Sequence, residues 1–328
     1  MSAAEKPVEL VWNKGIARLC DRRIPDEFPD GHTYTPVPTL AGARISPELP
    51  ADVIADPGRY ADIREGEVVW VRLSWLPAFV HQVLPLVRAP FVLATADSDS
   101  SVPSELPELA RQVLGSPVVI RWFTQNHDGA APDRMAALPI GIDFHSVAEQ
   151  SIWGESLASP SRQEPTLEAI RDALPPLERR LPRVYIDFAW DVRARSHPAP
   201  AAARLSESRR AIVKTLRRRE AVVCQEAPLP RSEMWRRRGQ YAAVLSPHGG
   251  GLDCHRTWEA LALGHLVVVP SSALDPLFKD LRVVPVQSWD EIDAKNLDHW
   301  LAERNDASRD PLTSRYWLTQ MKSAARFS

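Results

Sequence analysis

The chain has 328 residues, 44% of them apolar and 25% charged, and its 40 Lys and Arg against 42 Asp and Glu leave a net charge of −2. That length leaves room for two cores, and the near-neutral balance gives no reason to expect nucleic acid as a partner. There is no apolar run long enough to span a membrane and no basic-then-apolar leader, and Cys20, Cys224 and Cys254 are scattered, so a cytoplasmic protein without a disulfide framework or a Cys-based zinc site is expected.

Residues 1–60 are rich in Pro and Asp and weakly periodic, which predicts an irregular lead-in with short elements. From Glu67 the pattern sharpens. Val68–Val71 reads as a buried strand, Leu76–Val87 as a helix interrupted by Pro85, and Pro90–Ala94 as a second strand ending at Asp97-Ser98-Asp99. Leu106–Leu114 reads as a helix, Val118–Phe123 as a strand ending at Gln125-Asn126-His127-Asp128-Gly129, and Ala137–Ile142 as a strand before Asp143. The stretch Val147–Arg183 carries few strand signals and two Pro-rich sites, and it is the expected link between units 1–175 and 176–328.

A second unit follows, with strands at Arg183–Phe188, Ala221–Gln225, Tyr241–Leu245, Leu266–Pro270 and Val283–Val286. Helices are expected at Leu205–Arg219, Arg231–Arg238, Thr257–Leu263, Trp289–Glu303 and Pro311–Ala325. Strands alternating with helices predict α/β units with parallel sheets. The clusters Arg217-Arg218-Arg219 and Arg236-Arg237-Arg238 read as solvated helix ends, with a peripheral membrane patch as the rival. The eleven Trp include Trp122, Trp190, Trp235 and Trp258; most of the eleven are expected in the core, with one or two stacking on a sugar or base, and the sequence does not distinguish which.

The segment Ser246-Pro247-His248-Gly249-Gly250-Gly251, between an apolar strand and a helix, carries the strongest functional signal. Three glycines let backbone approach an anion closely, and the following helix N-terminus offers free N–H groups and the positive end of its dipole. Arg256 and Glu259, three residues apart on that helix, share a face. A guanidinium there can fork onto phosphate, and a carboxylate can accept ribose hydroxyls. Ser246 and His248 complete this candidate donor site.

Pro247, Gly249, Gly251, Arg256, Glu259, Leu261 and Gly264, followed by Val267-Val268-Val269, resemble the donor-binding motif of exostosin-like and related GT-B glycosyltransferases. Weaker similarity to uncharacterised bacterial relatives runs through Phe91–Asp99, Trp122–His127 and Leu138–His145, and the scarcity of Lys, six in all, also fits a high-GC bacterial genome. The resemblance implies a GT-B-like pair of Rossmann-type domains with parallel sheets facing a cleft, the nucleotide-sugar on the C-terminal half and a glycan or other hydroxyl acceptor in the cleft. It also implies transfer with inversion and no obligatory metal, in bacterial surface or extracellular glycan synthesis.

Asp97, Asp99, His127 and Asp143 follow strand ends that should face such a cleft, which makes them candidates for the acceptor's general base. Two rivals stand beside this expectation. Asp97-Ser98-Asp99 looks like the Asp-x-Asp motif of metal-dependent GT-A enzymes, whose carboxylates hold a divalent ion against the diphosphate. The fold could also serve a non-catalytic nucleotide-sugar-binding protein.

Overall fold

The computed structural model describes residues 8–24, 54, 56–129, 133–188, 208–304 and 307–326. Trp190, most of the Pro-rich lead-in and the start of the helix expected from Leu205 lie outside these residues.

The expected α/β class is adopted, with two five-stranded sheets that are parallel throughout. The first comprises β1 (Arg22–Ile24), β2 (Val68–Arg72), β3 (Phe91–Ala96), β4 (Val119–Thr124) and β5 (Met135–Ala137), side by side in chain order. The second comprises β6 (Leu181–Ile186), β7 (Val222–Cys224), β8 (Tyr241–Leu245), β9 (Leu266–Pro270) and β10 (Val283–Val286), in the order β10-β9-β8-β6-β7. Every residue of β3, β8 and β9 is buried, because parallel sheets are covered on both faces and therefore read as continuous apolar runs.

The helices are α1 (Asn13–Leu19), α2 (Pro107–Gly115), α3 (His145–Glu149), α4 (Pro160–Ala173), α5 (Arg209–Leu216), α6 (Arg231–Arg238), α7 (His255–Ala262), α8 (Ala294–Glu303) and α9 (Ser314–Ala324). The stretch expected to be a bare link contains α4, which starts with Pro160 in its first turn and buries Leu167 and Ile170. An interior Pro165 masks this helix in the sequence. The helix expected over Leu76–Val87 is instead three short pieces, Leu76–Ala78, a π turn Phe79–Val83 and a 3-10 turn Leu84–Leu86. Pro85, which has no N–H to donate, falls in the last piece.

The strand expected over Ala137–Ile142 ends at Ala137. Pro139 cannot donate to a ladder, the Ile140 N–H donates to the Asp253 carboxylate at 2.8 Å, and Gly141 pairs with Trp12. The chain's last helix returns to the first half. There α9 packs against α1, β3 and β4, and its Trp317 and Met321 share one buried cluster with Trp12, Ile16, Trp70 and Val92.

Candidate functional site

The second sheet reverses direction between β6 and β8: the chain runs outward from β6 to β7, then restarts on the other side at β8. In open parallel sheets the loops at the carboxyl ends of strands beside such a switch point part and leave a crevice. Here those loops begin with Asp187-Phe188 after β6 and Ser246–Cys254 after β8. A cleft of about 700 Å³ opens there, walled on its far side by Asp99, Ile140 and Asp143 of the N-terminal half.

The floor of the cleft is a buried charge network. Asp187, whose side chain is fully buried, accepts from Arg238 Nε at 2.7 Å and from Arg256 Nε at 3.0 Å. Glu259 accepts from Arg231 at 2.6 Å and from the Trp235 indole N–H at 3.1 Å, and Arg238 lies 3.9 Å from it. Arg238 is therefore buried, contrary to the expected solvated helix end, while Arg236 and Arg237 are exposed.

Arg209 and Arg256 lie over the same Phe188 ring, their guanidinium carbons 5.4 and 5.5 Å from its centroid. Arg209 meets no carboxylate among the described residues and donates to the His248 carbonyl at 3.4 Å. Burial, reinforced by the neighbouring Arg256 charge, lowers its pKa to about 10. Beside this pair begins α7, whose N-cap Cys254 provides no side-chain hydrogen bond to the helix; its carbonyl accepts from the Thr257 N–H at 3.0 Å, and no cap side chain claims the other first amides.

The three glycines do not adopt positive φ; space dictates them. A Cβ on Gly250 would lie 2.1 Å from an Asp99 oxygen, and one on Gly251 would lie 2.5 Å from Asn126 Nδ2. Gly249 uses its own N–H within the loop, donating to Gly251 O at 3.1 Å. The loop is thus pressed against the N-terminal half. Asn126 Oδ1 accepts from the Asp253 N–H at 2.9 Å while its Nδ2 donates to Ser98 O at 3.0 Å. Asp253 spans the same seam, accepting from Ile140 N, Cys254 N and the Trp258 indole. Burial raises its pKa to about 6.

Of the residues singled out in the sequence, Asp99, Asp143, Gly249, Gly250, Gly251, Arg256 and Glu259 line the cleft. Ser246 and His248 are buried behind it, with the Ser246 hydroxyl accepting from Thr257 and a His248 ring nitrogen 2.8 Å from Leu252 O. Asp97, at φ 64, is held by Arg72 at 2.9 Å, Asn13 at 3.1 Å and Lys14 at 4.0 Å. Burial opposes its ionisation, but these cations outweigh it and keep the carboxyl below its usual range. The Asp97/Asp99 pair is therefore not an open carboxylate grip for a metal. His127 lines a different cavity, of about 900 Å³, bounded by Tyr316 and Trp317.

The sequence did not single out Arg209, Arg231, Asp187, Phe188 or Trp153 for the site. Trp153 lines the cleft at φ 54 with 45% of its surface exposed, and the Arg231 guanidinium lies 5.4 Å from its ring centroid. A left-handed backbone under a bulky side chain is strained, and such strain concentrates at binding sites. Trp122, Trp235 and Trp258 are buried, in line with the expectation that most Trp lie in the core.

No family model matches the chain, nor does any curated protein. Among solved structures it is similar to a UDP-forming α,α-trehalose-phosphate synthase from Burkholderia vietnamiensis, at 13% identity over 82% of this chain and 74% of that one, with a TM-score of 0.33. The Escherichia coli trehalose-6-phosphate synthase bound with UDP-2-fluoro glucose matches at 11% identity over 81% and 70%, with a TM-score of 0.33. A Burkholderia xenovorans synthase in complex with glucose-6-phosphate matches at 13% identity over 80% and 72%, with a TM-score of 0.32.

Proposed function

We propose that this chain is a glycosyltransferase that holds a nucleotide-sugar on the C-terminal wall of the cleft and passes its sugar to a hydroxyl acceptor on the N-terminal wall. The observation that carries this reading is the Arg209–Arg256 pair on Phe188. Two like charges share one ring at the switch point of the second sheet, and one of them is buried with no carboxylate partner among the described residues. An anion bound between them relieves that repulsion, and a diphosphate also matches the guanidinium forks and the uncapped start of α7.

Arg256 is held through Nε by Asp187, which leaves its terminal nitrogens for phosphate oxygens. Glu259 orients this wall through Arg231 and Trp235 and retains lone pairs for a ribose hydroxyl. Charge developing on the departing diphosphate is met by Arg209, Arg256 and backbone N–H groups, so no metal is required at the diphosphate. Asp99, the exposed carboxylate opposite Gly250, takes the acceptor proton. Attack from that wall, opposite the leaving group, gives inversion.

Residues 1–175 then form the acceptor side and 176–328 the donor side, and the exposed Trp153 indole offers a sugar ring a stacking face. The setting proposed is the cytoplasmic synthesis of a bacterial surface or extracellular glycan.

Calorimetric titration with nucleoside diphosphates tests the donor wall. Loss of a charged hydrogen bond to phosphate costs about 1.5–3 kcal/mol. Arg209→Gln and Arg256→Gln should therefore each weaken binding about 10- to 100-fold. Unchanged affinity in both variants sinks the assignment.

A further inference from the structure

At the same cleft as the arginine pair, Asp143, His145 and His255 bring three ligand-type atoms within 4.8 Å of one another. The donor reading uses none of them. Asp143 and His145 flank the start of α3, while His255 is the first residue of α7, so the cluster joins the two halves of the chain.

Two of the three groups are held from behind, as metal ligands are. The Asp143 carboxylate accepts from Ser146 N at 2.9 Å and from Ser146 Oγ at 2.8 Å. His255 Nδ1 lies 2.7 Å from Gly141 O. A carbonyl can only accept, so Nδ1 carries the proton and Nε2 is left with a lone pair. The His145 and His255 rings are 5.3 Å apart.

The third contact is informative. His145 Nδ1 lies 3.0 Å from Asp143 Oδ1, yet makes no aligned hydrogen bond among the described residues. An unbridged nitrogen and carboxylate oxygen at that separation come close to neighbouring ligands on one cation, since tetrahedral bonds of about 2.0–2.1 Å set ligands roughly 3.3 Å apart.

We infer that Asp143, His145 and His255 form a binding site for one divalent transition-metal ion of the zinc and cobalt class. Two imidazoles and one carboxylate are the ligand set such ions favour, whereas magnesium and calcium prefer oxygen alone. Three protein ligands leave a coordination position for water or a substrate oxygen. Because Asp143 and His255 line the cleft, that position is reached from the cleft. The ion there would hold and acidify an acceptor hydroxyl; this role rests on the transferase reading, whereas the metal site itself does not.

The test is titration of the full chain, stripped with EDTA, with Co²⁺ in the absence of nucleotide. It is followed by visible d–d absorption and by competition with Zn²⁺. Wild type should bind one Co²⁺ per chain and release it to Zn²⁺, and His145→Ala and His255→Ala should each weaken binding at least 10-fold. A Zn²⁺-induced rise in melting temperature should disappear in both variants, and in Asp143→Asn if an alanine variant fails to fold. Absence of Co²⁺ absorption in wild type, or equal affinity in wild type and variants, overturns the site. Nucleotide affinity, measured separately through Arg209 and Arg256, tells failure of the metal site from failure of the donor reading.

Discussion

Replacing Glu259 by alanine should destabilise the protein far more than loss of a ligand contact alone would. The Glu259 side chain is 9% exposed and its partners Arg231 and Arg238 are 5% and 1% exposed. Truncation leaves the Arg231 guanidinium, 2.6 Å from the lost carboxylate, and the Trp235 indole N–H without that acceptor. Removing one partner of a buried ion pair costs about 3–5 kcal/mol, because the remaining charge is no longer compensated. Glu259→Gln keeps the shape and one acceptor, and should cost about 1–3 kcal/mol, the range for a hydrogen bond to a charged group. Urea unfolding followed by tryptophan fluorescence measures both. A loss below about 1 kcal/mol in the alanine variant would show that Glu259 is not the counterion of this network, a role that surface pairs can lose at that cost.

Gly251→Ala should lower stability by about 1–3 kcal/mol, since the new Cβ meets an Asn126 amide fixed at both ends. Gly250→Ala meets only the tip of the exposed Asp99 carboxylate and should cost less than its neighbour; equal melting temperatures for the two variants contradict this. The raised Asp253 pKa, about 6, favours the protonated carboxyl in the folded state. Its contribution is complete below the unfolded value near 3.9 and is lost as pH rises to about 6, a change on the order of 3 kcal/mol. Asp253→Asn should remove that slope, so the wild type minus variant difference in unfolding free energy must change between pH 4 and 7. Trp153→Ala should raise the acceptor KM several-fold with little change in melting temperature, and an unaltered KM removes Trp153 from the acceptor surface.

The second sheet was legible because its strands are apolar runs bounded by turn residues, and Tyr241–Leu245, Leu266–Pro270 and Val283–Val286 have their expected ends. The glycine-rich segment was legible as a strand–loop–helix, but the reason for its glycines was not. Asn126 and Asp99, whose side chains fill the space beside them, lie over a hundred residues earlier, and local patterns carry no trace of that contact. Arg238 read as a surface charge because its partner Asp187 is 51 residues away, and Arg231 did not stand out because its partner Glu259 is 28 residues away. Asp187 did leave a signal: it directly follows the end of β6, the same position that singled out Asp97. Asp97 shows the limit of that rule, since Arg72 and Lys14 turn a strand-end carboxylate into part of the framework.

The return of α9 to the first sheet has a consequence for how the chain is made. Trp317 and Met321 complete a cluster begun by Trp12, Ile16 and Trp70, and the Val11 N–H donates to Leu312 O at 2.8 Å. During synthesis the N-terminal half emerges first, yet one face of it stays uncovered until α9, about 300 residues later, has left the ribosome. A fragment cut near residue 175 would stay in that unfinished state, so the two halves are separate in topology but share one folding event.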